Sequence, residues 1–424
     1  MAEQPTVELP AERVSVIARC DLLVVGGGAA GLSAAIAARR QGADVILVER
    51  YGYLGGLASG GLIVLLLTMD DGAGRQVVAG LCQELVERLE ARDACFYPPS
   101  GEWGNPSDEL VERYRRWGLV WGSAPHKVRY SVAYDPEEFK LVANNWVAEA
   151  GVRLLYHRWA SDLVREGDRV THVVFTSKAG RQAIACDAVV DTTGDGDLFA
   201  LADEPFELEQ VHPWLWFRMS GVDENEAGGS GSIRTIRPGQ ALLPWGAAER
   251  IGRRIDATDP DDLTFAEVEC RRMVMEEVDR LRSQVPGFKN AYLTDVALTP
   301  DVTESRRLTG RYVLQRDDLD KPFDDVVAVT GHWTKYDCTY QIPYRSLLPQ
   351  RTANLLAAGR CISVDHRAHH ATKEIPACFA TGEAAGVAAA LSLSRSVALA
   401  DLDVSELQRA LVKAGAWLPE SARS

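Results

Sequence analysis

Apolar and polar positions follow several different periods along this chain, and the sharpest switch lies in residues 21–50, DLLVVGGGAAGLSAAIAARRQGADVILVER. The apolar run from Asp21 to Val25 predicts a buried strand. Residues Ala29–Gln41, mostly Ala, Leu and Arg, predict a helix, and Gly42 stands where a C′ glycine would end it. A second apolar run, Val45–Val48, predicts another strand and ends in Glu49. Gly26, Gly28 and Gly31 between strand and helix have the G-x-G-x-x-G spacing. Gly26 permits a tight turn, Gly28 lets the backbone approach a diphosphate, and Gly31 lets helix and sheet pack closely. The helix N-terminus offers free N–H groups to phosphates. Glu49 lies 21 residues beyond Gly28, where a carboxylate can accept both ribose hydroxyls. Strand, turn, helix and acid in this order predict a dinucleotide site rather than an ordinary βα turn.

Later segments are read the same way. RYGYLGGLASGGL follows Glu49, and its five glycines (52, 55, 56, 60, 61) predict backbone pressed against a bulky ligand. Arg75–Arg92 carries Val77, Val78, Leu81, Leu85 and Leu89 at helical spacing, whereas Phe96–Pro136 reads as irregular cap structure. Asp135-Pro136-Glu137-Glu138 predicts a helix start, with Gly151 after the helix. Strands are expected near Arg153–Tyr156, Arg169–Ser177 and Ala183–Val190, the last emptying into the polar turn DTTGDGD. Asp195 and Asp197 there are too few for a calcium loop. Glu226–Ser232 reads as a linker or flap, Leu263–Val285 as a solvated amphipathic helix, and Val326–Tyr344 as antiparallel sheet. Asn354–Ala358 is an apolar strand delivering Gly359-Arg360, and a helix of small residues starts at Pro376.

Composition narrows the class. With 424 residues, two or three domains are expected. A net charge of −14 argues against nucleic acid and anionic membrane as partners. The eight cysteines are scattered without a C-x-x-C pair, as in a reduced cytoplasmic chain, and no metal site is expected. The N-terminus lacks the apolar core of a signal peptide, and Leu62–Leu67 is too short to span a bilayer. Against the acidic background, residues 345–373 hold five Lys or Arg and three His against one acid, Asp365, which implies an anion nearby. The small residues after Pro376 suit close approach to a ligand or to another helix.

Taken together, the blocks VVGGGAAGLSAA (24–35), ERYGYLGGLASGGL (49–62), DPEEFK (135–140), DTTGDGD (191–197), FRMSGVD (217–223), ESRRLTGRYVL (304–314), IPYRSLLP (342–349), NLLAAGRCIS (354–363) and PAC…GEAAG (376–386) resemble the FAD-dependent oxidoreductases of the two-domain glutathione-reductase-like class, related to fumarate reductase flavoproteins. The resemblance implies an α/β fold: a Rossmann-like FAD-binding domain with a parallel sheet, built from 15–70, 135–205 and 350–395. It further implies an α+β substrate or cap domain with an antiparallel sheet from 71–134 and 206–349, and a C-terminal helical tail at 396–424. By resemblance, Gly26, Gly28, Ala30, Gly31, Glu49, Arg50, Gly55, Gly56 and Ala58 hold the ADP half of FAD. Gly194, Asp195, Gly359 and Arg360 line the ribityl chain, and Ala377 lies in the helix start that faces the flavin pyrimidine edge. Relatives usually carry arginine where this chain has Lys373, which keeps the charge but loses bidentate geometry. No His or Cys in 52–61 offers a covalent flavin tether, and no second G-x-G-x-x-G follows a strand.

The expected chemistry is hydride transfer from a small organic substrate, aromatic or apolar given ten tryptophans (Trp214, Trp216, Trp245 and Trp333 among them), to flavin N5. His366, His369 and His370 are the candidate bases, with His332 beside Tyr336 a second pairing and Lys373 a charge stabiliser. Arg306 could meet an acidic substrate or serve a buried ion pair. Three alternatives stand: reduction of an activated alkene, a monooxygenase or halogenase, and a non-redox or structural use of FAD. The expected partner is a small-molecule substrate, with a homo-oligomer left open.

Overall fold

The computed structural model describes residues 6–7, 10–244 and 251–423, so Trp245 lies outside the described residues. The central sheet is built from β1 (Ser15–Val25), β2 (Val45–Val48), β3 (Arg153–Leu155), β4 (Trp159–Glu166), β5 (Arg169–Ser177), β6 (Gly180–Asp191) and β7 (Leu355–Ala357). Its order is β3-β2-β1-β6-β5-β4, with β7 beside the C-terminal end of β6. β3, β2, β1, β6 and β7 run parallel, and β4 and β5 join as an antiparallel meander. Strand period two divides the core. Leu22, Val24, Val45 and Leu47 pack on one face, and Leu23, Val25, Ile46 and Val48 on the other. The run Trp159–Glu166 escapes the sequence reading because polar residues occupy both faces of this mostly exposed edge strand.

Helix α1 (Ala29–Arg40) follows β1, and ten of its twelve residues are buried. Helix α2 (Gly80–Glu90) starts later than its apolar periodicity predicts: Val77 and Val78 donate their N–H groups to the Met69 carbonyl, and Gly80 has φ +56°. Helix α3 (Pro136–Ala150) has the expected Asp135 cap, which accepts from the N–H groups of Glu137 and Glu138, and Gly151 ends it at φ +76°. Within the stretch read as irregular, Asp108–Arg115 is helical and Val132–Tyr134 a strand. Helix α4 (Pro260–Gln284) carries Asp259 as cap.

Small antiparallel sheets complete the fold. Ile233–Arg234, Gln240–Leu243, Phe217–Ser220 and Tyr292–Val296 form a four-stranded sheet in that order. The hairpin Val326–Gly331 with Thr339–Pro343 follows the predicted alternation. Two helices end the region that matters most, α5 (His366–Thr372) and α6 (Ile375–Arg395). A Cβ on Gly382 would lie 2.1 Å from the Ala30 carbonyl oxygen and one on Gly386 2.2 Å from that of Ala34, so the small residues of α6 let it cross α1 backbone to backbone. By length and composition α6 could cross a membrane, but 83% of its most apolar window is buried in the protein. Counting unbroken apolar runs misses it, because Thr, Gly, Glu and Ser interrupt the pattern.

Candidate functional site

Parallel strands deliver their C-terminal ends to one edge, where the turns after β1, β2, β6 and β7 converge. Backbone bonds stitch these turns together. Gly26 N–H donates to Val48 O (2.8 Å), Thr192 N–H to Val25 O (2.9 Å) and Ala358 N–H to Asp191 O (3.0 Å). Gly26, at φ +105°, has room for no side chain, since a Cβ would meet Thr192 O at 2.3 Å. A Cβ on Gly31 would lie 1.7 Å from Gly26 O, yet one on Gly28 would meet nothing within 4 Å. The open approach therefore lies over Gly28, the residue that caps α1 with no side chain in the way. A diphosphate fits there.

Glu49 is buried at the end of β2, its carboxylate accepting from Gly27 N–H (2.6 Å) and Tyr51 N–H (2.7 Å). Each oxygen retains a lone pair for a ribose hydroxyl. Gly55 N–H donates to Gly27 O (2.8 Å), holding the Gly55–Gly56 turn beside Gly28, and Ala58 ends this turn buried. Arg50 lies between the rings of Tyr51 and Trp159, with its guanidinium 3.5 Å from Asp195.

Asp195 is the hub of the next section. It accepts from Arg360 Nη2 (2.6 Å) and the Ser305 hydroxyl (2.8 Å). Burial alone would raise its carboxyl, but Arg360, Arg50 and Ser305 hold it below the usual range. Asp197 titrates near 6 because it is buried beside Asp195 and Asp191. Arg306 takes the ion-pair reading: its Nη1 donates to Asp195 O (3.3 Å) and Asp197 (3.2 Å). Asp191, first acid of DTTGDGD, is spent on local structure, accepting from Thr193, Leu198 and Phe199. Gly194 sits against Arg360, and Gly359 against Ala30, where a Cβ would clash at 2.7 Å. Ala377 is buried in the first turn of α6.

The basic stretch draws its anions from the chain itself. Arg345 pairs with Asp325 (2.8 Å), Arg360 with Asp195 (2.6 Å) and Lys373 with Glu374 (3.6 Å). On α5 the adjacent His369 and His370 point about 100° apart, and their contacts divide the three histidines. His366 and His369 share Glu304, at 2.9 Å and 3.6 Å. Burial alone would raise Glu304, yet His369, Arg307 and His366 hold it near 2. His369 is 1% exposed, and its other nitrogen, Nε2, faces Arg360 O at 2.9 Å, so both of its ring nitrogens are engaged by protein. His370 turns the other way, exposed beside Trp333 and His332, with neither ring nitrogen hydrogen-bonded among the described residues. Partial desolvation, Lys373 and the neighbouring histidines bring it down to about 4. His332 is buried, its Nδ1 engaged by Thr334, and titrates near 4 for the same kind of reason. Its expected partner Tyr336 instead donates to Trp121 O (2.9 Å).

Sequence reading passed over Ser305, Glu304 and Asp301. Only the first two stand in a recognisable block, ESRR, and their partners lie far away in the chain. Donor atoms of Glu209, Glu304 and His366 come within 4.8 Å of one another, but Arg254 and Arg307 already neutralise the two carboxylates.

Comparison with known proteins bears on this edge. A family profile described as FAD dependent oxidoreductase matches residues 21–411. Among solved structures, the p-nitrophenol 4-monooxygenase of Pseudomonas putida is 12% identical over 94% of this chain and 84% of its own, with a TM-score of 0.50. A geranylgeranyl bacteriochlorophyll reductase-like protein of Thermoplasma acidophilum is 13% identical over 94% and 84%, with a TM-score of 0.49. The flavin-dependent brominase Bmp2 is 14% identical over 93% and 83%, with a TM-score of 0.48. At 12% identity the likeness to the monooxygenase is one of fold.

Proposed function

This chain belongs to the FAD-dependent oxidoreductase family, and we propose that it acts as a dehydrogenase or oxidase on a small organic substrate, aromatic or apolar. FAD is its cofactor, and the residues fit it: open space over Gly28 for the diphosphate and spare lone pairs on Glu49 for the ribose. Bound across this edge, FAD supplies a two-electron acceptor for hydride.

The observation that carries the reading is an exposed His370, its ring nitrogens without hydrogen bonds among the described residues, three positions before Lys373 at the entrance to α6. A neutral imidazole with free nitrogens can take the substrate proton as hydride leaves the neighbouring carbon. Lys373 and the positive end of α6 stabilise the negative charge that arrives with the hydride. His369 is a positioning residue, fixing Arg360 O and Glu304. Trp333, whose Nε1 donates to His370 O (3.0 Å), and Trp121 against it give the substrate side an apolar wall.

Anaerobic mixing of the yellow holoenzyme with a panel of primary alcohols, amines and 2-hydroxy acids tests this. Bleaching near 450 nm by one class, slowed at least about 100-fold in His370→Ala with flavin still bound, is expected. Product without bleaching would instead mark non-redox use of FAD, and reduction by NADPH alone a monooxygenase.

A further inference from the structure

We propose that Asp301 accepts a hydrogen bond from the ribityl–isoalloxazine half of bound FAD. Its side chain is 5% exposed, and its Oδ1 has no hydrogen-bond partner. The backbone holds it firmly: Asp301 N–H donates to Trp214 O (2.6 Å), and Trp214 N–H to Asp301 O (3.2 Å).

Its neighbours locate it on the strand-end edge. The carbonyl of Val302 accepts from Arg360, and the hydroxyl of Ser305 donates to Asp195 at 2.8 Å. The positive charges of Lys373, at the start of α6, and of Arg360 act on this carboxylate, and the buried Glu374 feels its negative charge. Asp301 thus adjoins the residue that binds Arg360 and lies within electrostatic reach of the α6 N-terminus. Glu49 and Gly28 take the ADP half, so what reaches Asp301 is the other half. That half offers two kinds of donor, the ribityl hydroxyls and N3–H. Two further buried polar atoms without partners belong to residues close in sequence to its neighbours: Thr372 Oγ1 precedes Lys373, and Trp216 Nε1 stands two residues beyond Trp214.

Chemistry agrees with geometry. Burial pushes Asp301 up to about 6 despite Lys373 and Arg360, so at neutral pH it is mostly a charged acceptor in want of a donor. The cost of leaving such a group unmade is larger than the net worth of an average hydrogen bond. A ligand that supplies the donor recovers that cost on binding.

Full-length protein stripped of flavin and titrated with FAD, followed by quenching of flavin fluorescence, tests the assignment. Asp301→Ala is expected to weaken FAD binding at least about 10-fold, while the flavin-free protein melts at the same or a higher temperature at pH 8. Asp301→Asn should fall between, since its amide oxygen still accepts. N3-methyl-FAD tells the donors apart: disappearance of the Asp301 effect assigns N3–H, and persistence assigns a ribityl hydroxyl. Unchanged affinity would overturn the proposal. So would affinity and melting temperature falling together, the mark of a merely structural residue. A wild-type chain that takes up no FAD would fail the cofactor premise instead.

Discussion

Gly28 and Gly31 stand three positions apart, and a single methyl group separates their tasks. At Gly31 it would lie 1.7 Å from Gly26 O, inside the turn itself. Gly31→Ala is therefore expected to cost ~3 kcal/mol or more and to lose the flavin with the fold. At Gly28 the same methyl meets nothing within 4 Å, and the backbone there has φ −69°, open to any residue. Gly28→Ala should leave flavin-free stability within ~0.5 kcal/mol of the parent. It should nonetheless weaken FAD binding about 10-fold or more if, as proposed, the diphosphate approaches over Gly28. Thermal melts of the flavin-free variants beside FAD titrations separate the two. Equal affinity in Gly28→Ala would place the diphosphate elsewhere. This part of the site was legible in the sequence because its logic is local: a turn, a cap and an acid, all within 30 residues. The histidines were less so. Spacing on α5 only turns the adjacent His369 and His370 apart; the fold alone says that Glu304 waits beside His366 and His369, and Trp333 beside His370.

Helix α2 has no side-chain cap of its own, its N-cap position being Ala79. Glu383, from the middle of α6, serves instead, accepting from Leu81 N–H at 3.1 Å. Burial raises this carboxyl from 4.5 to about 7, against the Leu81 hydrogen bond and Arg40. The folded chain therefore holds the proton more tightly than the unfolded chain. Its contribution to stability is full below pH 4.5 and is lost as pH rises through 7. Some ~3 kcal/mol is at stake by pH 8. Glu383→Gln keeps an acceptor for Leu81 and removes the charge, so its melting temperature should match the parent near pH 5 and exceed it at pH 8. Parallel pH profiles for the two proteins would contradict this. Periodicity revealed α2, and Pro376 with its run of small residues revealed α6, but neither showed the cap, since 302 residues separate Leu81 from Glu383.

Long-range tethering also governs how the chain ends. Residues after Arg395 read as a tail because nothing in their pattern names a partner. In the fold they are fastened at several points. Gln408 donates to Asp324 O (2.8 Å) and Val326 O (3.0 Å), Tyr344 OH to Leu399 O (2.9 Å) and Gly80 N–H to Gly415 O (3.0 Å). Leu407, Leu411 and Leu418 are fully buried. The segment thus braces the start of α2 and the hairpin Val326–Pro343, which in turn packs beside α6. Removing residues 397–424 would delete three buried leucines and bare the surfaces they cover, a loss of roughly 6 kcal/mol at ~2 kcal/mol each. A domain commands only about 5–15 kcal/mol in all. The truncated chain is therefore expected to lose cooperative unfolding and to retain little FAD, as calorimetry and the flavin absorbance of purified protein would show. A truncated chain that stays yellow and melts like the parent would mean that the bracing is incidental.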